Sequence, residues 1–182
     1  MKTYGLIGEH LSHSFSKEIH ESIADYCYDL IPLDKEAFCS FMEDRDFAAV
    51  NVTIPYKKAV IPYLDELSET ARAIGAVNTV VNRNGRLVGD NTDLPGMLAL
   101  IHRMRLTLAG KKVLILGTGG TSKTARAAAA QLHAAEIYRV SRCGRGDAIT
   151  YQQAAAEHGD AACIINTTPC GMYPDVDACP VD

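Results

Sequence analysis

The sequence lacks tryptophan, and none of its six cysteines forms a Cys-x-x-Cys pair; they are Cys27, Cys39, Cys143, Cys163, Cys170 and Cys179. This scatter argues against a structural zinc site. The N-terminus turns polar within a few residues, so we expect no secretion signal and therefore no disulfide framework. The absences together predict reduced thiols, no bound metal and a cytoplasmic location.

The chain also lacks a run of basic residues and a long apolar stretch. It carries 18 Lys and Arg against 22 Asp and Glu, for a net charge of −4. A protein that follows a phosphate backbone needs a basic patch, so we expect no nucleic-acid partner. No apolar run reaches the roughly 20 residues that a membrane helix needs, so we expect no membrane partner. The remaining composition, 47% hydrophobic and 22% charged, is that of a globular protein.

Short apolar runs alternate with longer stretches of helical periodicity, which predicts an α/β fold with a largely parallel sheet. One such helix is predicted over 16–27, with Ile19, Ile23, Tyr26 and Cys27 on one face; another is predicted over 94–105. The predicted strands are 3–8, 28–33, 47–53, 76–82, 112–116, 137–141 and 161–166. We expect two domains, 1–105 and 106–182. Only three strands are predicted after residue 110, so the second domain is expected to be an incomplete Rossmann-like domain.

A glycine-rich segment follows the strand 112–116 and opens a helix that runs to about residue 133. Gly117 permits a tight turn, Gly119 allows the backbone to approach a pyrophosphate, and Ser122 occupies the position of the third small residue. The pyrophosphate would rest on the helix N-terminus. A plain strand–helix turn is the alternative. A P-loop is disfavoured although Lys123 and Thr124 fit it, because Ser122 stands where that loop needs glycine.

The next strand ends at Ser141 and Arg142, with Arg145 close behind. An NAD site would place an acid near this strand end to hold the ribose 2′-hydroxyl, and no acid is present there. A guanidinium suits a 2′-phosphate by charge and by bidentate geometry, which favours NADP. Two solvated surface arginines are the alternative.

Six segments resemble the shikimate dehydrogenase family in order and spacing, and the resemblance runs from residue 4 to residue 182. They are Ser14-Phe15-Ser16, Asn51-Val52-Thr53-Ile54-Pro55-Tyr56-Lys57, Gly75-Ala76-Val77-Asn78-Thr79, Gly89-Asp90-Asn91-Thr92-Asp93, the glycine-rich loop, and Asn166-Thr167-Thr168-Pro169-Cys170-Gly171-Met172. The resemblance implies an N-terminal substrate-binding domain, an NADP-binding domain, and reversible reduction of 3-dehydroshikimate to shikimate in aromatic amino-acid (chorismate) biosynthesis.

The resemblance also implies site residues. Lys57 and Asp93 match the catalytic pair, in which a positioned lysine exchanges a proton with the carbonyl oxygen. The alternatives are a surface lysine and a helix N-cap. The implied substrate ligands are Ser14, Ser16, Thr53, Lys57, Asn78 and Asp93. The implied cofactor ligands are Gly117, Thr118, Gly119, Gly120, Thr121, Ser141, Arg142, Asn166, Thr167, Thr168 and Met172.

Some positions carry further expectations. Ser14 and Ser16 would hold the substrate carboxylate, and Ser16 is expected to cap the helix over 17–27. Lys17 replaces the proline usual in the family; it is expected either to add positive charge near the carboxylate or to point to solvent. His13 is expected to be structural rather than catalytic.

The family's chain is expected to continue past Asp182 and to supply a tyrosine and a glutamine of the active site. The oligomeric state is expected to be a monomer or a homodimer. Two other functions stay open: a quinate/shikimate dehydrogenase that uses NAD, and a shikimate-binding module without catalysis.

Overall fold

A computed structural model describes residues 3–12 and 14–181, and His13, expected to be structural, lies outside the described residues. The chain divides into two compact units, Met1–Thr92 and Asp93–Asp182. The division falls before the helix predicted over 94–105, whereas the sequence placed the domain boundary after it.

The first unit contains a six-stranded sheet with the order β2-β1-β3-β5-β6-β4. In chain order its elements are β1 (Thr3–Gly8), α1 (Ser16–Ile23), β2 (Asp29–Pro32), α2 (Lys35–Asp44), β3 (Phe47–Val52), a 3-10 turn (Ile61–Tyr63), β4 (Glu66–Leu67), α3 (Glu69–Ile74), β5 (Thr79–Arg83) and β6 (Arg86–Asp90).

This sheet is mixed rather than largely parallel. Strands β2, β1 and β3 run parallel, whereas β5 is antiparallel to both β3 and β6. The reversal between β5 and β6 is a two-residue turn of Asn84 and Gly85, whose φ angles are 55° and 91°. Both positive angles suit a tight hairpin turn, and Asn-Gly is the dipeptide that favours one.

The direction of the strands brings several loops to one edge of the first sheet. The ends of β1, β3 and β6 and the start of β5 all lie at this edge, because β5 is antiparallel to its neighbours. The segments that leave or enter these strands carry most of the predicted substrate ligands. The strand directions therefore bring these segments to the same edge of the first sheet without a long connecting loop.

Both faces of the first sheet are covered. Side chains alternate along β1, so Leu6 packs with Leu11 and Tyr28 on one face, and Ile7 belongs to the larger cluster on the other. That larger cluster includes Phe38 and Met42 of α2. Asp34 is the N-cap of α2, and its carboxylate accepts a hydrogen bond from the Ala37 amide.

The second unit contains a four-stranded parallel sheet with the order β10-β7-β8-β9. Its elements are α4 (Asp93–Arg103), β7 (Lys112–Leu116), α5 (Gly120–Gln131), β8 (Glu136–Val140), β9 (Ala148–Ile149), α6 (Tyr151–Glu157) and β10 (Cys163–Asn166). The chain crosses from β9 at one edge to β10 on the far side of β7. This reversal of strand order is the switch point at which open α/β sheets bind ligands.

Helix α4 packs on the core of the second unit, which explains the position of the division. Its residue Ile101 is buried with Val113 and Ile115 of β7 and with the small side chains Ala125 and Ala128 of α5. Alanines at the contact allow α5 to lie close to the sheet. The opposite face of the sheet is covered by α6 through Ala154.

Candidate active site

Helix α1 begins at Ser16, and Ser14 rather than Ser16 supports its first turn. The Oγ of Ser14 accepts a hydrogen bond from the Ser16 amide at 3.2 Å and donates one to the Ser16 Oγ at 3.0 Å. The residue at the N-cap position is Phe15, which makes no side-chain capping bond. The expectation that Ser16 caps this helix is therefore wrong, because Ser16 already has helical backbone geometry.

The helix also ends earlier than predicted. It stops at Ile23, and Ile19 and Ile23 are exposed, so their side chains do not form the buried face that the periodicity predicted. Asp25 and Tyr26 form a bend, and the Tyr26 amide donates back to the Ala24 carbonyl, which breaks the helical pattern.

Lys17 ties α1 to the start of β2. Its ammonium donates to the Glu21 carboxylate at 2.9 Å and to the Tyr28 carbonyl at 2.8 Å, and the Tyr28 amide donates to the same carboxylate at 3.1 Å. The hydrogen bond that Lys17 donates to Glu21 lowers the pKa of Glu21 and raises the pKa of Lys17. Lys17 therefore belongs to a bridge and does not simply point to solvent, whereas the added positive charge near a substrate carboxylate stays a prediction.

Thr53 and Lys57 lie in the segment that follows the end of β3. The Thr53 amide donates to the Ile7 carbonyl at 2.9 Å, and the Tyr56 amide donates to the Thr53 carbonyl at 2.9 Å, which turns the chain. The carbonyl oxygen of Lys57 accepts from the Val77 amide at 2.7 Å. The backbone of the half-buried Lys57 is thus hydrogen-bonded to Val77, which directly precedes Asn78.

Asn78 is a buried polar hub at the start of β5. Its Oδ1 accepts from the Thr92 amide at 2.9 Å and from the Thr79 hydroxyl at 3.1 Å, and its Nδ2 donates to the Thr92 Oγ1 at 3.0 Å. Its own amide donates to the Asp90 carbonyl at 3.0 Å. These bonds fix both the backbone and the orientation of the amide group.

A second polar group supports this hub from behind. Asn51 donates to the Thr79 hydroxyl at 3.2 Å and accepts from the Tyr28 hydroxyl at 2.7 Å. Burial raises the pKa of Tyr28 to about 12, so its hydroxyl stays protonated as a donor. The sequence placed Asn51 in a motif without a role and gave no signal for Tyr28. A hydrogen bond across 23 positions leaves no trace in a single sequence.

Asp93 directly follows Thr92 and is the first residue of α4, so it starts the second unit. An acidic side chain in the first turn of a helix is favoured by the helix dipole. Lys57 and Asp93 therefore belong to different units, and their pairing stays a prediction.

The second unit contains a cleft of about 920 Å³ at the switch point of its sheet. Its walls come from the loops that follow β7, β8 and β10. The lining residues are Gly117, Thr118, Gly119, Val140, Ser141, Arg142, Cys143, Arg145, Tyr151, Thr167, Thr168, Pro169, Cys170 and Pro180.

The glycine-rich loop has the geometry of a phosphate cradle. Gly117 has a φ of 106°, and a Cβ there would lie 2.9 Å from the Thr167 Oγ1. A Cβ at Gly119 or Gly120 would meet no protein atom within 4 Å, so the backbone there faces open space. Helix α5 begins at Gly120 without a side-chain cap, which leaves its first amides for an anion. Ser122 is fully buried and donates to the Gly119 carbonyl at 2.7 Å, a packing position.

The structure brings seven of the eleven predicted cofactor ligands to this cleft, and Gly120, Thr121, Asn166 and Met172 are absent from its described lining. Asn166 instead accepts from the Thr168 amide at 2.9 Å and donates to the Cys170 carbonyl at 3.0 Å, which shapes the loop. Met172 is exposed. The sequence assigned no role in this cleft to Tyr151, which contributes from the start of α6.

The residues present fit an NADP molecule. The glycine loop and the N-terminus of α5 suit its pyrophosphate, and Arg142 and Arg145 line the same cleft, where they suit a 2′-phosphate. Over residues 3–12 and 14–181, no three His, Cys, Asp or Glu side chains lie together as a metal site would need. In the same residues, no helix has the length and apolar character to cross a membrane.

Comparison with known proteins points the same way. The profile of the shikimate dehydrogenase substrate binding domain matches residues 6–80. The shikimate dehydrogenase (NADP(+)) of Clostridium beijerinckii is 37% identical over all of this chain and 73% of its own length.

Two solved structures are also similar. Shikimate 5-dehydrogenase from Thermus thermophilus, in complex with NADP(H) and shikimate, is 29% identical with a TM-score of 0.86 over all of this chain and 74% of its own. The Listeria monocytogenes enzyme, in complex with shikimate and NAD, is 28% identical with a TM-score of 0.77, over 95% of this chain and 71% of its own. By sequence identity and coverage, the chain belongs to the shikimate dehydrogenase family.

Proposed function

We propose that the protein is an NADP-dependent oxidoreductase that reversibly reduces 3-dehydroshikimate to shikimate. The observation that carries the proposal is the cleft of the second unit, in which a glycine-rich phosphate cradle and two arginines line one space. The family's relatives carry the same activity in their names. The bound cofactor supplies the hydride, and the chain supplies position and a proton.

The cofactor preference rests on the end of β8. Ser141 and Arg142 stand where an NAD enzyme would have an acid, and Arg145 follows on the same loop. A guanidinium offers a planar pair of N–H donors to a phosphate, and two guanidiniums add charge. We therefore assign the 2′-phosphate of NADP to Arg142, with the pyrophosphate at Gly117–Gly119.

The substrate ligands are assigned to the edge of the first sheet. Ser14 and Ser16 hold two hydroxyls 3.0 Å apart beside the N-terminus of α1, which suits a carboxylate. Thr53 directly follows β3 and Asn78 directly precedes β5, so both lie at the same edge of the sheet. Their hydroxyl and amide groups suit the ring hydroxyls of shikimate.

Lys57 and Asp93 are assigned as the acid–base pair. During reduction the Lys57 ammonium donates a proton to the carbonyl oxygen, and during oxidation the neutral amine accepts it. Asp93 is assigned as the catalytic partner of Lys57 and as a ligand of a substrate hydroxyl. Such a positioned acid contributes about 10²–10⁴-fold in rate.

A specific observation favours a second candidate, a quinate/shikimate dehydrogenase that uses NAD. The Listeria monocytogenes relative has been solved with shikimate and NAD. The two arginines argue for NADP in this chain. A shikimate-binding module without catalysis is the third candidate, and the presence of both Lys57 and Asp93 argues against it.

The test is an absorbance assay for reduced cofactor with shikimate or quinate as substrate and NADP⁺ or NAD⁺ as cofactor. We expect reduction only with shikimate and NADP⁺. Turnover of quinate with NAD⁺ would favour the second candidate. Shikimate binding by calorimetry without turnover in any mixture would favour the binding module.

A further inference from the structure

The loop between β8 and β9 carries the arginines of the cofactor cleft. It spans residues 141–147, and Arg142, Cys143 and Arg145 line the cleft. Two glycines flank Arg145, and both have positive φ, 54° at Gly144 and 70° at Gly146. Glycine adopts many backbone conformations, so this sequence by itself does not hold the arginines in one place.

Backbone contacts fix only part of the loop. The Gly144 amide donates to the Ser141 Oγ at 3.1 Å, and the Ala148 amide donates to the Arg145 carbonyl at 3.3 Å. Both bonds are local to the loop and its ends. They shape the turn but do not connect it to the helix that carries the phosphate cradle.

Asp147, the last residue of the loop, makes that connection. One carboxylate oxygen accepts from the Arg126 guanidinium at 3.1 Å, and the other accepts from the Arg139 guanidinium. Arg126 lies on α5, the helix that starts at the glycine-rich loop, and Arg139 lies on β8. The pairing of β8 with β9 holds both ends of the loop, and the Asp147 carboxylate adds the link from the loop to α5.

We propose that Asp147 is a positioning residue for cofactor choice. By joining the arginine loop to α5 and β8, it sets the spacing between the site for the pyrophosphate and the site for the 2′-phosphate. NAD lacks the 2′-phosphate and does not use that spacing. The inference rests on the proposed NADP-dependent function.

Simple electrostatics predicts the opposite result. Asp147 is not among the described residues of the cleft lining. Its negative charge nonetheless lies on the same loop as Arg142 and Arg145, so removing it raises the positive potential there. If charge alone mattered, loss of Asp147 would tighten binding of a phosphate. A positioning role predicts weaker NADP binding, and the sign of the change separates the two.

The experiment is isothermal titration calorimetry, which measures the affinity of wild type, Asp147→Asn and Asp147→Glu for NADP⁺ and for NAD⁺. We expect Asp147→Asn to weaken NADP⁺ binding about tenfold, the scale of one misplaced charge-assisted hydrogen bond, and NAD⁺ binding less than about twofold. Asp147→Glu keeps both oxygens and should restore most of the difference. The matched control is Asp160→Asn, which breaks the ion pair with Lys112 at the opposite end of the same sheet; it should change neither affinity.

A general loss of structure would weaken both cofactors alike, and that result, or unchanged or tighter NADP⁺ binding, would overturn the positioning role. If Asp147→Asn does not fold, Arg126→Gln removes the exposed partner on α5 and must shift the NADP⁺ to NAD⁺ ratio in the same direction. Wild type that binds the two cofactors equally would instead count against the proposed NADP site.

Discussion

The carbonyl oxygen of Lys57 accepts a hydrogen bond from the backbone amide of Val77 across 2.7 Å. Val77 is fully buried, and the next residue, Asn78, is the polar hub of the first unit. The segment that carries the proposed proton donor is therefore fixed by its backbone to a strand entry that is itself hydrogen-bonded. Its side chain can be replaced without removing this contact.

Lys57→Ala should lower kcat by about 10²–10⁴-fold. It should leave shikimate affinity within a few-fold of wild type, because the backbone contact to Val77 survives and the other proposed substrate ligands remain. The absorbance assay measures kcat, and calorimetry measures shikimate affinity. Lys58→Ala is the matched control, since Lys58 is the adjacent exposed lysine, and it should behave as wild type. Equal losses in kcat and affinity would contradict a proton-transfer role.

Arg142→Ala should weaken NADP⁺ far more than NAD⁺. A guanidinium–phosphate contact is a charge-assisted, bidentate interaction, so we expect a loss of about tenfold or more for NADP⁺. Fluorescence titration with the reduced cofactors gives both affinities. Arg103→Ala, an exposed arginine at the end of α4, is the control. Equal effects on the two cofactors would remove Arg142 from the 2′-phosphate site.

Gly119→Ala should weaken cofactor binding without unfolding the protein. The added Cβ meets no protein atom within 4 Å, so the methyl group would enter the space assigned to the pyrophosphate. Thermal melting should stay near wild type while NADP⁺ affinity falls. Gly96→Ala, in α4 and equally open, should raise helix stability by about 0.5–1 kcal/mol and leave binding unchanged. Unaltered NADP⁺ affinity in Gly119→Ala would place the pyrophosphate elsewhere.

Asn78→Ala should destabilise the first unit and reduce shikimate affinity. Asn78 is buried, and the variant removes its hydrogen bonds to the amide and hydroxyl of Thr92, each of which contributes about 0.5–1.5 kcal/mol. Urea denaturation measures the free energy of unfolding. Asn82→Ala is the comparison: Asn82 lies at the other end of β5, where it bonds to the Gly85 amide and the Arg45 carbonyl, and the variant should leave shikimate affinity unchanged.

Tyr28 should make the protein sensitive to alkaline pH. Burial raises its pKa from 10 to about 12, so the folded state keeps a proton that the unfolded state loses above pH 10. The associated stability is complete below about pH 10 and declines as the pH rises towards 12, by about 1 kcal/mol at pH 11. Urea denaturation at neutral pH and at pH 11 tests this. Tyr28→Phe should lose less stability over that interval, and an identical loss would exclude Tyr28 as the cause.

Periodicity predicted the fold class and the strands built from apolar runs, among them β1, β3 and β7. In β1 and β7 the buried side chains alternate between two packed faces. Periodicity missed β6, although the Asn84–Gly85 turn was a readable hairpin signal. It missed β4 and β9 because two-residue strands carry no period. The predicted end of α1 was wrong because Ala24 has an extended backbone and the Tyr26 amide donates to the Ala24 carbonyl, and neither feature alters the apolar spacing on which the prediction was based.

Local motifs predicted which residues line the cleft of the second unit better than they predicted the polar network of the first unit. Gly117, Gly119 and Arg142 lie at the ends of neighbouring strands, so strand order alone brings them together. The bridges from Lys17 to Tyr28 and from Asp147 to Arg126 join residues far apart in the chain. Their partners are chosen by three-dimensional packing, which one sequence does not display.

The proposed function requires hydride transfer between NADPH and the ketone carbon of 3-dehydroshikimate. The test is mass spectrometry of the product formed from 3-dehydroshikimate and NADPH that is deuterated at nicotinamide C4, first on one face and then on the other. We predict shikimate heavier by one mass unit with one of the two labelled cofactors and unlabelled shikimate with the other. Recovery of unreacted 3-dehydroshikimate in both, from folded protein that binds both ligands, would contradict the claim.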